Sequence, residues 1–324
     1  MICDLNCDAT GNAASDADLG DKLQVHIDSS NAARKFVAWG KLTHDKLGQL
    51  TGEHPLLDHM TDVAACFLAL AECVAIRRSL ELTACRDLDG TDLQRLAVLV
   101  FLHDVGKANA GFQSRRWQLP ERPPGYWPTS PLGHGPEGWE LISGSVHNAA
   151  QYWAGLPITE IASWGDEAAF QLLNASISHH GRPLGQTPAA QTASIWKPVL
   201  DKSGAVLYDP AVTMACMGDR LQQSYPLAFT ACHRPLPDKP AFAHLFAGLV
   251  QLADWLGSDT REGFFPYTAS GEDRVQTAPA RATYAVRSIG LDVNTWRNEL
   301  CRKTFWMTVW FSPPTSRLRK KCAG

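Results

Sequence analysis

The stretch Phe101-Leu102-His103-Asp104-Val105-Gly106-Lys107 decides the reading of this chain. An apolar run ends in an adjacent His-Asp pair, followed by Gly two residues past the Asp and by Lys three residues past it. Imidazole nitrogen and carboxylate oxygen both ligate divalent first-row metals. An imidazole offers one lone pair to one metal, whereas a carboxylate has two oxygens and can bridge two. His103-Asp104 can therefore begin a two-metal centre with Asp104 as the bridge. The bland reading is a helix end whose polar pair faces solvent, and a bare His-Asp dipeptide would be read that way. Several other histidines at suggestive spacings weigh against it.

The sequence predicts a helix over 91–107. Thr91 with Gln94 forms a capping box, and Gly106 supplies a left-handed C-terminal residue. Leu96 to Leu102 is apolar nearly all round, which makes this helix central. A carboxylate on its last turn is then buried, and an unpaired buried carboxylate is costly. A metal removes that objection.

Before it, residues 55–79 read as one long helix, with Pro55 at its first position and Leu56, Met60, Val63, Phe67, Leu70 and Val74 at helical spacing. His59 lies beside that stripe and shares a face with Asp62. After it, residues 114–136 form a long Pro/Gly-rich loop. Its Arg115, Arg116, Trp117, Arg122, Tyr126 and Trp127 suit stacking on single-stranded bases and contact with phosphates. An ordinary surface loop is the alternative. His134 follows, just before a helix expected from Pro136 to about Trp153. Residues 166–182 predict a further helix, capped by Asp166 and ended by Gly181 and Pro183, with His179-His180 on its last turn. One or two helices and loops are expected over 188–235. Residues 239–258 read as a strongly apolar helix whose one inner acid, Asp254, needs a partner. Phe264-Phe265-Pro266-Tyr267 is expected to pack back as a loop, and a helix is expected near 293–300.

The totals bound what such a centre belongs to. A chain of 324 residues, 45% hydrophobic and 19% charged, suffices for a core in one large domain or two small ones. A net charge of −3 excludes a strongly basic protein, so nucleic-acid contact must come from a local patch or from metal ions. None of the nine cysteines forms a Cys-x-x-Cys pair, which argues against a structural zinc site. Met1 to Gly20 is polar and acidic without an apolar core, so no secretory signal is expected, and no apolar run reaches the length of a membrane span. A cytoplasmic, reducing location is the expectation. We expect a flexible or loosely packed lead-in over 1–35, the main domain over 36–267, and a C-terminal extension or truncated linker over 268–324. The last carries an apolar run at 305–311 and a basic end.

The candidates, His59, His103-Asp104, His134, His179-His180 and Asp254, come from five segments and include no thiolate. Seven such ligands exceed the need of one metal. Their order resembles the HD superfamily of metal-dependent phosphohydrolases, and more specifically the HD nuclease domain of the CRISPR type I helicase-nuclease. The matching pieces are HPLLDHMTDVA (54–64), FLHDVGKANAGFQ (101–113), SISHHGRP (176–183) and LVQLADWLGSD (249–259).

The resemblance implies an all-α domain with a dinuclear metal site at converging helix ends. It implies one metal on His59, His103, Asp104 and Asp254 and a second on Asp104, His134, His179 and His180, with His147 as the alternative to His134. Manganese, iron, cobalt or nickel are the expected ions, with magnesium or zinc as alternatives. Asp104 and Lys107 are the expected catalytic residues, Lys107 as a charge stabiliser beside the scissile phosphate. His54 and Asp62 are expected to be structural or to support the ligands, and His26, His44, His233 and His244 to be structural. The implied activity is metal-dependent, two-metal endonucleolytic cutting of single-stranded DNA, the strand displaced when a guide RNA pairs with its target. Arg115, Arg116 and Trp117 would contact that strand. The implied partners are single-stranded DNA, a CRISPR RNA-guided surveillance complex and a separate helicase subunit, since the 324 residues hold no G-x-x-x-x-G-K-[ST] loop. Two competing readings are an HD phosphohydrolase acting on nucleotides or small phosphate esters, and an inactive metal-binding adaptor.

Overall fold

The fold is helical, and the apolar stripes found in the sequence supply its core. The structure is a computed structural model. It describes residues 36–302 apart from 118–121, 123, 129–132, 166, 182–183, 185–192, 231–233, 270, 293–296 and 299. The expected lead-in, the caps at Asp166 and Pro183, His233 and the tail after 302 lie outside the described residues.

The chain enters on a hairpin that alternation had not revealed. Strand β1 (Trp39–His44) pairs antiparallel with β2 (Leu50–Pro55), and Lys41 stands opposite His54. Its register is irregular in two places, which blurs any period-2 pattern. Helix α1 (Leu56–Glu72) follows directly and buries Leu56, Met60, Val63, Phe67 and Leu70 together with His59 and Asp62.

The expected single helix over 55–79 is in fact two. Cys73 takes an extended conformation, ψ 122°, and α2 (Val74–Ala84) leaves at 88° to α1. Neither Gly nor Pro marks this break. The bend lets α2 bury Leu80 and Ala84 while Val74 goes to the surface. No single helix among the described residues is long and apolar enough to cross a membrane.

Helix α3 (Gly90–Phe101) is the central one. Its cap is Asp89 with Asp92, in place of the expected Thr91 with Gln94. The reason is tertiary. Asp92 is buried against Arg86 and Arg234, each 2.7 Å away, and Gln94 instead accepts from the Leu227 amide at 2.8 Å. The helix also stops earlier than expected, and a 3₁₀ segment, Leu102–Ala108, carries the His-Asp pair.

A short α4 (Ala110–Gln113) leads into the Arg/Trp loop. The helix expected over 136–153 is split into α5 (Gly135–Ile142) and α6 (Ala150–Trp153), with Gly144 and Asn148 in the left-handed region between them. Then come α7 (Ile158–Ser163) and α8 (Glu167–Ile177). The hydroxyl of Ser176 in α8 donates to the Leu99 carbonyl of α3 at 2.8 Å. A small hairpin, β3 (Val199–Leu200) with β4 (Val206–Tyr208), precedes α9 (Pro210–Ser224).

Helix α10 (Pro240–Gly257) lies against α1. A Cβ on Gly257 would stand 2.9 Å from the Val63 amide, so only glycine allows this approach. Phe67 and Phe246 meet edge to face across the contact, at 5.6 Å. The loop at 264–267 packs back as expected, with Phe264 and Phe265 buried and Tyr267 stacked on His54.

The compact unit that begins at Val37 carries on past residue 267. Helix α11 (Arg274–Ser288) packs on α1 through Ala278, Ala282 and Ala285, and buried Arg274 approaches Asp62 at 3.4 Å. An alanine stripe is weakly apolar, so in sequence this helix reads as a polar segment.

Candidate metal centre

Each candidate ligand is placed by a specific local device. His59 projects from the first turns of α1. Gly40 of β1 sits so close that a Cβ there would lie 3.1 Å from the His59 Cβ. His103 and Asp104 are neighbours, and on a regular helix their side chains would diverge by about 100°. Asp104 breaks that geometry, with φ −108° and ψ 17°, and both side chains end in the same buried space.

Gly106 has an ordinary φ, so the left-handed role expected for it does not apply. Its bareness serves contact: a Cβ would fall 1.7 Å from the His134 carbonyl oxygen. This approach brings the start of α5, and His134 with it, onto the His-Asp segment. His179 and His180 stand in the turn that ends α8, with Gly181 at φ +72° behind them. Asp254 comes from the last turn of α10.

These seven side chains converge. Asp104 divides its two oxygens between two groups. Oδ2 lies 3.2 Å from Nε2 of His59 and 3.2 Å from Nε2 of His103. Oδ1 lies 3.2 Å from Nε2 of His134 and 3.8 Å from Nε2 of His179. Asp254 reaches both groups as well: Oδ1 is 3.5 Å from His59 and 3.8 Å from His103, and Oδ2 is 4.0 Å from His179. Two sets of ligand atoms are close enough to hold an ion each, His59 with His103 and Asp104, and His134 with His179 and His180. His147 is on an exposed turn and belongs to neither set.

The donor atoms fit a cation. Nε2 of His59, Nε2 of His103 and both oxygens of Asp104 are buried without a hydrogen-bond partner of good geometry. Leaving such groups unpaired is unfavourable by about 1–3 kcal/mol each. Nδ1 of His103 faces the Val100 carbonyl at 2.9 Å, and Nδ1 of His179 faces the Ser176 carbonyl at 3.1 Å. A carbonyl only accepts, so these Nδ1 atoms carry the proton and each Nε2 turns a lone pair to the centre. Nε2 of His134 and Nε2 of His180 stand 3.1 Å apart, a spacing at which two lone pairs repel unless a proton or a cation lies between them.

Electrostatics agrees. Burial holds His59 and His134 down to about 3 and His179 to about 4, so all three are neutral near pH 7, the form in which an imidazole can ligate a metal. Burial alone would raise the carboxyl of Asp104, but Lys107 and His103 outweigh it and hold it well below the usual range. Asp254 is likewise brought down to about 2 by His103 and His59 against its burial.

Lys107 lies 2.6 Å from Oδ2 of Asp104 and donates to the Gly40 carbonyl at 3.1 Å. A second ammonium, absent from the sequence reading, balances it. Lys41 of β1 donates to the Ser258 hydroxyl, which in turn donates to Oδ1 of Asp254 at 3.1 Å. Its burial lowers its pKa, and Asp254 works against that. Gln113 was missed as well. Fully buried, it receives the Trp39 amide at 2.9 Å and donates to the carbonyls of Trp39 at 3.0 Å and Lys107 at 2.7 Å, tying β1 to the His-Asp segment. The only sequence signals were Trp39-Gly40-Lys41 at the onset of apolar composition and the Phe-Gln that closes the 101–113 motif.

The expected nucleic-acid contacts are placed differently from one another. Arg116 pairs with Glu53 and lies over Trp117, whose ring meets that of Trp127 at 5.0 Å. Arg115 is exposed and lies over Phe112, whose ring is 5.4 Å from that of His134. His54 and Asp62 pair at 3.0 Å one shell out from His59.

The sequence matches the family model described as Cas3, HD domain, over residues 39–262. The chain belongs to the Cas3 HD-domain family. Among solved structures, a CRISPR-associated protein is 23% identical with a TM-score of 0.54, over 78% of this chain and 27% of that one. The Thermus thermophilus Cas3 HD domain, crystallised in the presence of Ni²⁺, is 25% identical with a TM-score of 0.45, over 73% of this chain and 85% of that one. A chain of a CRISPR RNA-guided surveillance complex, pre-nicking, is 18% identical with a TM-score of 0.45, over 78% of this chain and 28% of that one. The present chain thus spans about a quarter of the first of these. No curated protein matches it.

Proposed function

We propose that this chain is a metal-dependent endonuclease that cuts single-stranded DNA in CRISPR interference. The observation that carries the reading is the divided carboxylate of Asp104, one oxygen turned to His59 and His103 and the other to His134 and His179. His59, His103, Asp104 and Asp254 would hold one divalent ion, and Asp104, His134, His179 and His180 the other. Manganese, iron, cobalt or nickel suit such an all-imidazole and carboxylate set. Ions bound there would supply Lewis acidity at the phosphoryl oxygens and acidify water at neutral pH.

The chain's own groups do the rest. Asp104 and Asp254 stay ionised and fix the ligand geometry. Lys107, anchored on the Gly40 carbonyl, sets a positive charge beside Asp104, where negative charge builds on a phosphate in the transition state. Exposed Arg115 on the His134 side suits a neighbouring phosphate. A net charge of −3 gives little general pull on a duplex. A flexible single strand bends into a recessed site more readily. The R-loop of a surveillance complex, or a separate helicase, would present it.

The test is a circular single-stranded substrate beside a relaxed duplex of the same sequence, with manganese, cobalt or nickel. Cutting of the circle with an inert duplex is expected, and a circle has no ends for an exonuclease. Rapid ATP-independent cutting of the duplex would overturn the reading. So would an inert circle alongside efficient release of phosphate from free nucleotides.

A further inference from the structure

Burial shows where the centre opens. His59, His103 and Asp104 are sealed, whereas His180 is exposed and His134 is partly open. The mouth therefore lies on the His180 side. Gly181, next in the chain, faces α10: a Cβ on it would come 3.6 Å from Nε2 of Gln251. Helix α10 is thus a wall of the mouth.

Helical spacing sets His244, Gly248, Gln251 and Trp255 on one stripe of that wall. His244, Gly248 and Trp255 are exposed, and Gln251 is half-buried. Three features mark this stripe as open to a strand. The indole of Trp255 is 66% exposed beside Asp254, with no ring or hydrogen-bond partner among the described residues. Gly248 stands in mid-helix, where glycine is unfavourable, yet nothing lies within 4 Å of where its Cβ would be and its φ is ordinary. Asp254 is the one acid in the whole helix, and it turns inward, so nothing along the stripe repels a phosphate.

We propose that this stripe is the track on which a single-stranded nucleic acid reaches the centre. Trp255 stacks on a base, Gln251 meets the strand with its amide, and bare Gly248 lets the backbone pass close to the helix. Arg115 on the His134 side takes a phosphate across the mouth. The inference rests on the nuclease reading and deepens it. Base–aromatic stacking tolerates any sequence, as a strand-cutting enzyme of low sequence preference requires.

The test uses the full chain without metal, in chelator, and reads binding by fluorescence anisotropy. Two labelled probes of equal length are compared, a thymidine oligonucleotide and one with a central run of abasic sites. The wild type is expected to favour the first by about 10-fold, the scale of one stacked base. Trp255→Ala should abolish that preference and Trp255→Phe retain most of it. Gly248→Leu should weaken both probes. With metal added, Trp255→Ala should raise KM for single-stranded DNA more than it lowers kcat. A Trp255→Ala variant that keeps the wild-type base preference overturns the proposal while leaving the nuclease reading intact. A wild type that neither binds the oligonucleotides nor cuts the circle overturns both.

Discussion

His59 and His103 have no contact with solvent, whereas His180 is exposed and His134 partly so. The two ligand groups share Asp104 but are built differently. The inner group stands on α1 and just past the end of α3, held by close helix packing, and Nε2 of His59 and Nε2 of His103 have no hydrogen-bond partner. The outer group stands at the start of α5 and in a turn after α8, where water can serve the same atoms. Desolvated, preorganised donors gain more from an ion than hydrated ones, because they give up nothing to bind it. The inner position should therefore hold its ion more tightly and release it more slowly. Substrate would enter on the outer side, so an ion held firmly inside would anchor the carboxylate while one in the outer group would be the nearer to a phosphate.

The largest expected effect removes what the two groups share. Asp104→Ala should bring cleavage of the circle to background and lower the metal content at both positions, measured by elemental analysis after gel filtration. Retention of one full equivalent would show that the groups do not depend on a common bridge.

The next effect separates the groups. His180→Ala should lose the outer ion and keep the inner one, whereas His59→Ala should lose mainly the inner ion. In the wild type, brief dialysis against a chelator should leave about one equivalent, if the inner position exchanges more slowly as argued. Equal loss of both ions in the two variants would erase the difference in tightness.

That difference was not legible in the sequence. All seven candidates could be singled out in it: His103-Asp104 and His179-His180 by an apolar stripe, a polar pair, then Gly, His59 and Asp254 as polar groups on apolar helix faces, and His134 by its place before an expected helix. Their burial could not be read, since it depends on which helix covers which. The fold was legible where stripes of large side chains marked it, as at Leu56 to Leu70. It was illegible where a break had no Gly or Pro, as at Cys73, and where alanines made the contact, as in α11. Gly106 was noticed for the wrong property, a left-handed turn, when its use is the close passage of the His134 backbone. Lys41 was passed over because its partner lies at Ser258, more than 200 residues away.

Lys41 gives an intermediate effect. It holds the second carboxylate through one hydroxyl, as Lys107 holds the first directly. Removal of a group that orients a ligand lowers metal affinity or activity by roughly 10–100-fold. Lys41→Met and Ser258→Ala should both fall in that range, measured as metal affinity by calorimetry and as kcat on single-stranded DNA. The two together should cost little more than either alone, since they interrupt one chain of hydrogen bonds. Additive losses would mean that Lys41 acts on something other than Asp254.

The smallest effect decides between two histidines that spacing alone left open. His134 lies 3.2 Å from Asp104 and 3.1 Å from His180, whereas His147 stands on an exposed turn outside both groups. His147→Ala should leave metal content, cleavage and thermal midpoint at the wild-type values, since substitutions at such surface positions change stability by only about 0.5 kcal/mol or less. His134→Ala should release the outer ion and keep the inner one, as His180→Ala does. The pair also tests why the outer group is weaker. If solvent access alone governs tightness, His134→Gln, with a side chain that can still reach toward Asp104, should recover part of the metal content lost in His134→Ala. If the imidazole lone pair facing His180 is what holds the ion, glutamine should recover none. The second outcome is expected, because a nitrogen 3.1 Å from another nitrogen is placed there at a cost that only a shared cation or proton removes.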